Sequence, residues 1–271
     1  MLSIAGSDPG GGAGIQADLK TFAAHGGYGM TVVTAITVQS TTGIAAVEPL
    51  SPDLVERQYR SVVDDIGVDA VKIGMLATAG IVSRLARCLE TLGPEVPIVL
   101  DPVLAASDGT PLLGPGGLER LVEELLPRAT VITPNRGEAE AILGRAAAGE
   151  LDVEAAAREL HARGPAVLVT GGDAPGDEVV DVLVAGGEVT VFRLPRLHTR
   201  STHGTGCTLS SAIAARLAGG AGLHQAVERA IGYVRGAMDP GLALGRGRAP
   251  LDHGFARGAR LGQVGATRDR R

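Results

Sequence analysis

Short apolar stretches alternate with stretches of helical period along most of this chain. The apolar stretches, interpreted as strands, are 2–5, 28–38, 70–73, 98–100, 131–133 and 165–170, followed by a hairpin of 179–185 and 188–194. Apolar residues recur at helical spacing in 15–22, 52–64, 79–92, 209–217 and 223–238. Strands that alternate with helices predict an α/β protein whose mainly parallel sheet carries helices on both faces, with the antiparallel hairpin near the sheet edge.

The alternation stops near residue 240. Residues 1–240 are therefore predicted to form one domain, in which neither an internal repeat nor a linker stands out. Residues 241–271 are rich in Gly and Arg and lack an apolar period, which predicts a flexible or loosely docked tail.

Composition narrows the function. A formal net charge of −5 argues against nucleic-acid or anionic-membrane binding, so the substrate is predicted to be small. The sequence shows no signal-peptide pattern and no apolar run near the ~20 residues that span a membrane. Cys88 and Cys207 suggest neither a disulfide framework nor a zinc site, so a cytoplasmic protein is expected. Lysine occurs only at positions 20 and 72, so each lysine is a candidate for a specific role.

A glycine-containing turn, Ser201–Thr208, precedes the helical stretch 209–217. Gly204 and Gly206 let backbone N–H groups turn inward, and the helix adds the positive end of its dipole, so the turn can hold a phosphate. The same field is expected to lower the pKa of Cys207. On local sequence alone a second interpretation is equally open, in which the glycines only shape a loop and Cys207 is a small buried hydrophobe.

Polar residues also follow several predicted strands, where open α/β sheets bind ligands. Gln39 ends the first such stretch, and Asp101 ends an apolar strand, where a carboxylate is costly to bury unless it is paired or near a metal. Asn135 and Glu138, three residues apart, would face the same space as a helix begins, although an ordinary helix start explains them equally well. The loop 6–14 is neither a Walker loop nor a dinucleotide fingerprint.

The string Thr202–Thr208 resembles the signature of ribokinase-like kinases. Its cysteine form is similar to that of the hydroxymethylpyrimidine and phosphomethylpyrimidine kinases of thiamine biosynthesis, whereas sugar kinases of this superfamily usually place Asp at the Cys207 position. The strings 4–22, 72–76 and 135–138 resemble the same family, so the resemblance extends over about residues 2–240.

The resemblance implies a ribokinase-like fold and a homodimer. It implies phosphorylation of 4-amino-5-hydroxymethyl-2-methylpyrimidine and of its monophosphate, with ATP and Mg²⁺. It assigns the pyrimidine to Gly6, Asp18, Gln39, Met75 and Val103. It assigns the nucleotide to Asn135, Thr170, Thr202 and His203. It assigns Mg²⁺ to Asp101 and Glu138, and phosphoryl transfer to Gly204, Thr205, Gly206 and Cys207, with Cys207 as a candidate base.

The chain departs from the family at two places. Thr170 stands where many members have a lysine that reaches the nucleotide phosphates, and Ala106 and Ser107 stand where some members have a lysine. Two alternatives therefore stay open: a pyridoxal-type kinase on the same fold, and a pyrimidine-binding sensor without transferase activity.

Overall fold

The computed structural model describes residues 1–106, 108–145, 151–239 and 241–257. The strands are β1 Leu2–Ala5, β2 Met30–Val33, β3 Ala35–Ser40, β4 Gly43–Pro49, β5 Val71–Ile73, β6 Ile98–Leu100, β7 Val131–Ile132, β8 Ala166–Val169, β9 Glu178–Ala185, β10 Glu188–Pro195, β11 Ser201–His203 and β12 Ala249–Pro250. The helices are α1 Gly14–Ala24, α2 Pro52–Val63, α3 Ala79–Leu89, α4 Gly117–Arg120, α5 Arg136–Ile142, α6 Val153–His161, α7 Thr205–Ala218 and α8 Leu223–Met238.

Eight strands form the central sheet in the order β10-β9-β8-β7-β6-β5-β1-β2. The strands from β2 to β8 in this order run parallel, and β9 and β10 add an antiparallel hairpin at one edge. The predicted mainly parallel sheet with an edge hairpin is confirmed. The topology has a practical consequence, because all the parallel strands end at the same edge of the sheet.

Helices cover both faces of the sheet. One core cluster joins Phe22 of α1, Ile213 of α7 and Val227 of α8 to inward-facing strand residues such as Val99. The larger cluster lies on the opposite face and includes residues of α2, α3, α5 and α6. Strands β1, β5, β6 and β8 are buried along their whole length, which explains why they appear in the sequence as continuous apolar runs.

The stretch 28–38 is not one strand, as the sequence predicted. It divides at Thr34, whose N–H donates to the Ala5 carbonyl and whose own carbonyl accepts from Leu50. Only β2 joins the central sheet, while β3 pairs with β4 in a separate two-stranded ribbon. Ile36 and Val38 are about half exposed on this ribbon, so their β-branched side chains mimic a buried strand without being one.

The segment after α8 packs against the domain, where the sequence predicted a loose tail. β12 pairs in parallel with β11, Leu251 and His253 are buried, and the Tyr233 hydroxyl donates to the His253 carbonyl. The physical reason is long-range pairing, which the local Gly and Arg content hides. Residues 258–271 of the predicted tail lie outside the described residues.

Candidate active site

Five of the predicted site residues lie where parallel strands end. Gly6 follows β1, Met75 follows β5, Asp101 follows β6, Asn135 follows β7 and Thr170 follows β8. The chain passes from β1 to β2 on one side and later to β5 on the other side of β1, so the topology switches beside β1. Ligands of open α/β sheets bind at such a switch point, beyond the carboxyl ends of the strands.

Two glycine loops meet above this edge. Gly204 adopts a left-handed φ of 87°, and a Cβ on it would lie 1.8 Å from the Gly12 carbonyl oxygen. The neighbouring His203 contacts the same loop, because its Nε2 lies 2.8 Å from Asp8 Oδ2. Only a glycine fits at position 204, since both the backbone conformation and the contact exclude a side chain.

Asp8 holds the first of these loops in shape. Its carboxylate accepts hydrogen bonds from the N–H groups of Gly10, Gly12 and Ala13. Burial opposes ionisation of this carboxyl, but the bonds from His203 and the backbone outweigh it and lower the pKa of Asp8. Within the described residues, the hydrogen bond of His203 is thus to Asp8, which joins the two loops.

Helix α7 begins at the second loop with its N–H groups uncapped by any described side chain. Gly206 in its first turn is exposed, and a Cβ there would lie 3.8 Å from Asp101 Oδ2. Ser210 fixes this arrangement, since its hydroxyl lies 3.1 Å from Asp101 Oδ2 and 2.9 Å from the Gly206 carbonyl. Free N–H groups at a helix start form a ready site for an anion.

The predicted low pKa of Cys207 is wrong. Burial raises the pKa of the Cys207 thiol to about 12; Lys72 opposes this, while Asp18 and Asp101 add to it. The N–H of Gly14 also acts on the sulfur and lowers its pKa, but too weakly to reverse the result. The helix field is therefore outweighed by desolvation and by two neighbouring carboxylates. The thiol is protonated at neutral pH.

Asp18 lies beneath the site and not in it, contrary to the prediction that it binds the pyrimidine. Its side chain is fully buried, and both carboxylate oxygens lie 3.0 Å from Lys72 Nζ. The hydroxyls of Ser3 and Ser211 donate to the same carboxylate. These three partners occupy both carboxylate oxygens, and one of them, Ser211, belongs to helix α7, which packs against α1.

Lys72 is a site-related residue that sequence reasoning missed. Its side chain is fully buried in the central strand β5, and its Nζ turns toward the carboxyl end of the sheet beside Gly74. Burial disfavours its charge, but Asp18, Cys207 and Asp101 together raise the pKa of the Lys72 ammonium. The available signal was a lysine inside an apolar strand in a chain that has only two lysines.

Asp101 and Glu138 form an acidic pair near the start of α7. Burial and the Asp101 charge raise the pKa of Glu138 to about 8, and burial raises the pKa of Asp101 despite the nearby Lys72. Glu138 also accepts from the Asn135 N–H, and Asn135 Oδ1 accepts from the Glu138 N–H, each at 2.9 Å. The ordinary capping box considered from the sequence is thus present, and it aims Glu138 toward Asp101.

An apolar wall lies beside Gly6. A Cβ on Gly6 would lie 2.9 Å from Met75 Sδ, and Met75 belongs to a small cluster against which Val103 packs. Strand β3 borders this wall, because the Thr37 hydroxyl donates to the Ser7 carbonyl at 2.6 Å and contacts Gln39 Oε1 at 3.1 Å. Gly6, Met75, Val103 and Gln39 are therefore gathered at one end of the site.

The predicted nucleotide residues are distributed around the turn. Thr170 bridges Asn135 and donates its N–H to the Pro134 carbonyl, so it lies beside the acidic pair without supplying a positive charge. Thr202 precedes the turn, and its carbonyl accepts from the Thr205 hydroxyl at 3.4 Å. Of the second departure, Ala106 donates its N–H to Thr110, and Ser107 lies outside the described residues.

Comparisons with known proteins agree with this geometry. The model of the phosphomethylpyrimidine kinase family matches residues 8–252. A hydroxymethylpyrimidine/phosphomethylpyrimidine kinase of Streptomyces coelicolor is 48% identical over 259 residues, covering 95% of both chains. A thiamine biosynthesis bifunctional protein of Geobacter sulfurreducens is 42% identical over 93% of this chain and 52% of its own length.

Solved structures include an ADP complex of Bacillus subtilis pyridoxal kinase. It is 37% identical, with a TM-score of 0.84 over 94% of this chain and 97% of its own. The likeness extends along nearly the whole described fold, which is ribokinase-like. None of the helices in the described ranges is both long and apolar enough to cross a membrane. The chain belongs to the phosphomethylpyrimidine kinase family, and it is a phosphotransferase that uses ATP.

Proposed function

We propose that this enzyme phosphorylates 4-amino-5-hydroxymethyl-2-methylpyrimidine and then its monophosphate, in thiamine biosynthesis. The single observation that carries the proposal is the joining of two features at one sheet edge. The uncapped start of α7 provides N–H groups for phosphate, and the wall of Met75 and Val103 provides an apolar surface for a planar ring. Names of the relatives support the same substrate class.

Gln39 is proposed to read the edge of the pyrimidine. Its amide offers both a donor and an acceptor, as an aminopyrimidine edge requires. Thr37 holds the Gln39 oxygen at 3.1 Å, which orients the amide before the ligand arrives. Asp18 is not given this role, because its oxygens are occupied by Lys72, Ser3 and Ser211.

Transfer follows from placing the two substrates in line. The alcohol oxygen of the pyrimidine forms a bond to the terminal phosphorus of ATP, the bond from that phosphorus to the bridging oxygen breaks, and ADP leaves. The alcohol proton passes to solvent, since a thiol with a pKa of about 12 is not a resting base. N–H groups of Gly204–Cys207 steady the charge on the transferring group, so positioning and charge neutralisation supply most of the rate.

Asp101 and Glu138 are proposed to hold Mg²⁺ through its water shell. The donor set fits, because two carboxylates face each other strongly enough to raise the pKa of Glu138 to about 8, and a divalent cation would relieve that repulsion. Among the described residues no cluster of three metal-ligating side chains occurs, as expected when phosphates complete the coordination. When bound, Mg²⁺ neutralises charge on the phosphates.

Pyridoxal is the second candidate substrate, favoured by the structural likeness to a pyridoxal kinase. It also presents a hydroxymethyl group on a planar ring. A homodimer and a cytoplasmic location stay predictions.

Mass spectrometry of products tests the proposal. Purified enzyme is incubated with the pyrimidine alcohol, ATP and Mg²⁺. We expect two products in succession, the monophosphate and then the diphosphate. A pyrimidine that stays unmodified, in an enzyme that binds ATP, would contradict the proposed function and favour the sensor alternative.

A further inference from the structure

The segment 245–253, called here the C-terminal strap, contacts the turn that follows Gln39. The Arg248 N–H donates to the Thr41 carbonyl at 2.9 Å, and the Gly247 N–H donates to the Thr41 hydroxyl at 3.3 Å. The approach is very close, because a Cβ on Gly247 would lie 1.8 Å from the Thr41 carbonyl oxygen. The strap therefore rests directly on the backbone of the β3–β4 turn.

The same strap then follows the entrance to α7. The Ala249 N–H donates to the Arg200 carbonyl at 2.9 Å, and the Arg200 guanidinium donates back to the Gly247 carbonyl at 2.9 Å. Ala249 and Pro250 pair with Ser201 and His203 as β12 and β11. The strap is thereby hydrogen-bonded to the strand that leads into the phosphate-binding turn.

The strap ends on the first turn of α7. His253 is buried, and its Nε2 lies 3.0 Å from the hydroxyl of Thr208, the residue after Cys207. Burial and the nearby Lys20 lower the pKa of His253 to about 4, so the imidazole is neutral and the contact persists across the physiological range. Tyr233 fixes the other side of this residue through its bond to the His253 carbonyl.

We propose that the C-terminal strap couples the pyrimidine end of the site to the phosphate end, with Gly247 and Thr208 as positioning residues. The strap contacts the turn after Gln39 at one end and the residue after Cys207 at the other, through nine residues tied down at both. A ligand that orders one turn thereby orders the other, so each substrate binds better when the second is present. This inference rests on the proposed function, which assigns the two ends to the two substrates.

Binding measurements test the coupling. Affinity of the pyrimidine alcohol is measured by calorimetry with and without a non-hydrolysable ATP analogue, and the ratio of the two dissociation constants is the coupling factor. We expect a factor of roughly five or more in the wild type. Gly247→Ala and Thr208→Val should each reduce the factor toward one. The double variant should lose no more than the larger single loss, because both changes break the same link.

Gly232→Ala is the matched control. Gly232 is exposed on α8, and a Cβ there would contact nothing within 4 Å, so the coupling factor should keep its wild-type value. A wild-type factor of one, an unchanged factor in Gly247→Ala, or losses that add in the double variant would each overturn the proposal. A wild type that makes no phosphorylated pyrimidine would contradict the proposed function instead.

Hydrogen exchange provides a second readout that needs no ligand. In Gly247→Ala, amides of 36–44 and of 201–210 should exchange at least about fivefold faster together, while the central strands keep their protection. Gly232→Ala should change neither segment. Faster exchange confined to 36–44 would overturn the coupling even if the variant bound substrates weakly.

Discussion

Lys72 and Asp18 form a fully buried ion pair in which Nζ lies 3.0 Å from each carboxylate oxygen. The pair joins strand β5 to helix α1, and Ser211 extends it to helix α7. The two helices that frame the glycine loops are therefore tied to the sheet at one point. Breaking such a pair leaves an uncompensated charge in the core.

Lys72→Met is expected to destabilise the fold by about 3–5 kcal/mol, because Asp18 would stay buried without its cation. Lys72→Met with Asp18→Asn should be less destabilised than Lys72→Met alone, since the double change removes both charges. Denaturant unfolding measures both. Lys20→Met, which alters the exposed second lysine, is the control and should change stability by about 1 kcal/mol or less. Equal losses at Lys20 and Lys72 would contradict the buried-pair interpretation.

Gly204→Ala is expected to lower kcat by about a hundredfold, because the added Cβ would push the phosphate-binding turn away from Gly12. Gly220→Ala is a matched control. Gly220 has a similar φ of 80°, but a Cβ there meets nothing within 4 Å, so it bears the backbone strain without the contact. Steady-state kinetics of both variants separate the two effects. Similar kcat values for the two variants would show that the Gly12 contact is unimportant.

Gln39→Leu is expected to reduce kcat/KM for the pyrimidine alcohol by an amount worth roughly 1–3 kcal/mol, because the polar edge of the ligand loses its partner. The KM for ATP should stay close to its wild-type value, since Gln39 lies on the ribbon and away from the turn at α7. An unchanged kcat/KM for the pyrimidine would remove Gln39 from the site.

Cys207 is expected to react slowly with iodoacetamide at neutral pH. Its pKa of about 12 lies far above the assay range, so the thiolate fraction and the rate should rise about tenfold per pH unit between pH 7 and pH 9. The Cys207→Ser variant identifies which cysteine is labelled, because burial also raises the pKa of Cys88. A fast, pH-independent reaction of Cys207 near pH 7 would restore the thiolate base suggested by the sequence.

Glu138→Gln and Asp101→Asn should each raise the Mg²⁺ concentration for half-maximal activity, because each removes one charge from the proposed outer shell. Asp53→Asn changes an exposed carboxylate on α2 and is the control. Magnesium titrations that coincide for all these variants and the wild type would remove both carboxylates from the metal site.

The sequence predicted the sheet and the position of the site because both depend on local pattern. Parallel strands buried on two faces appear as apolar runs, and the polar residues after them, such as Asp101, mark the carboxyl edge. The glycine turn before α7 was likewise visible, since Gly204 and Gly206 lie within three residues of each other.

What could not be predicted depends on distant partners. Asp18 appears available for a ligand from its local sequence, but Lys72, 54 residues away, lies beside it in the fold. The pKa of Cys207 follows from burial and from carboxylates on other elements, and no local pattern reports either. The C-terminal strap was hidden for the same reason, because the partner of His253 lies 45 residues earlier.

The most direct test of the central claim is a competition assay with the wild-type enzyme. The pyrimidine alcohol and pyridoxal are supplied together with ATP and Mg²⁺, and the ratio of their kcat/KM values is read from the two phosphorylated products. We predict a ratio of at least about tenfold in favour of the pyrimidine, because Gln39 pairs with its amino edge. A ratio that favours pyridoxal would contradict the claim and assign this site to a pyridoxal-type kinase.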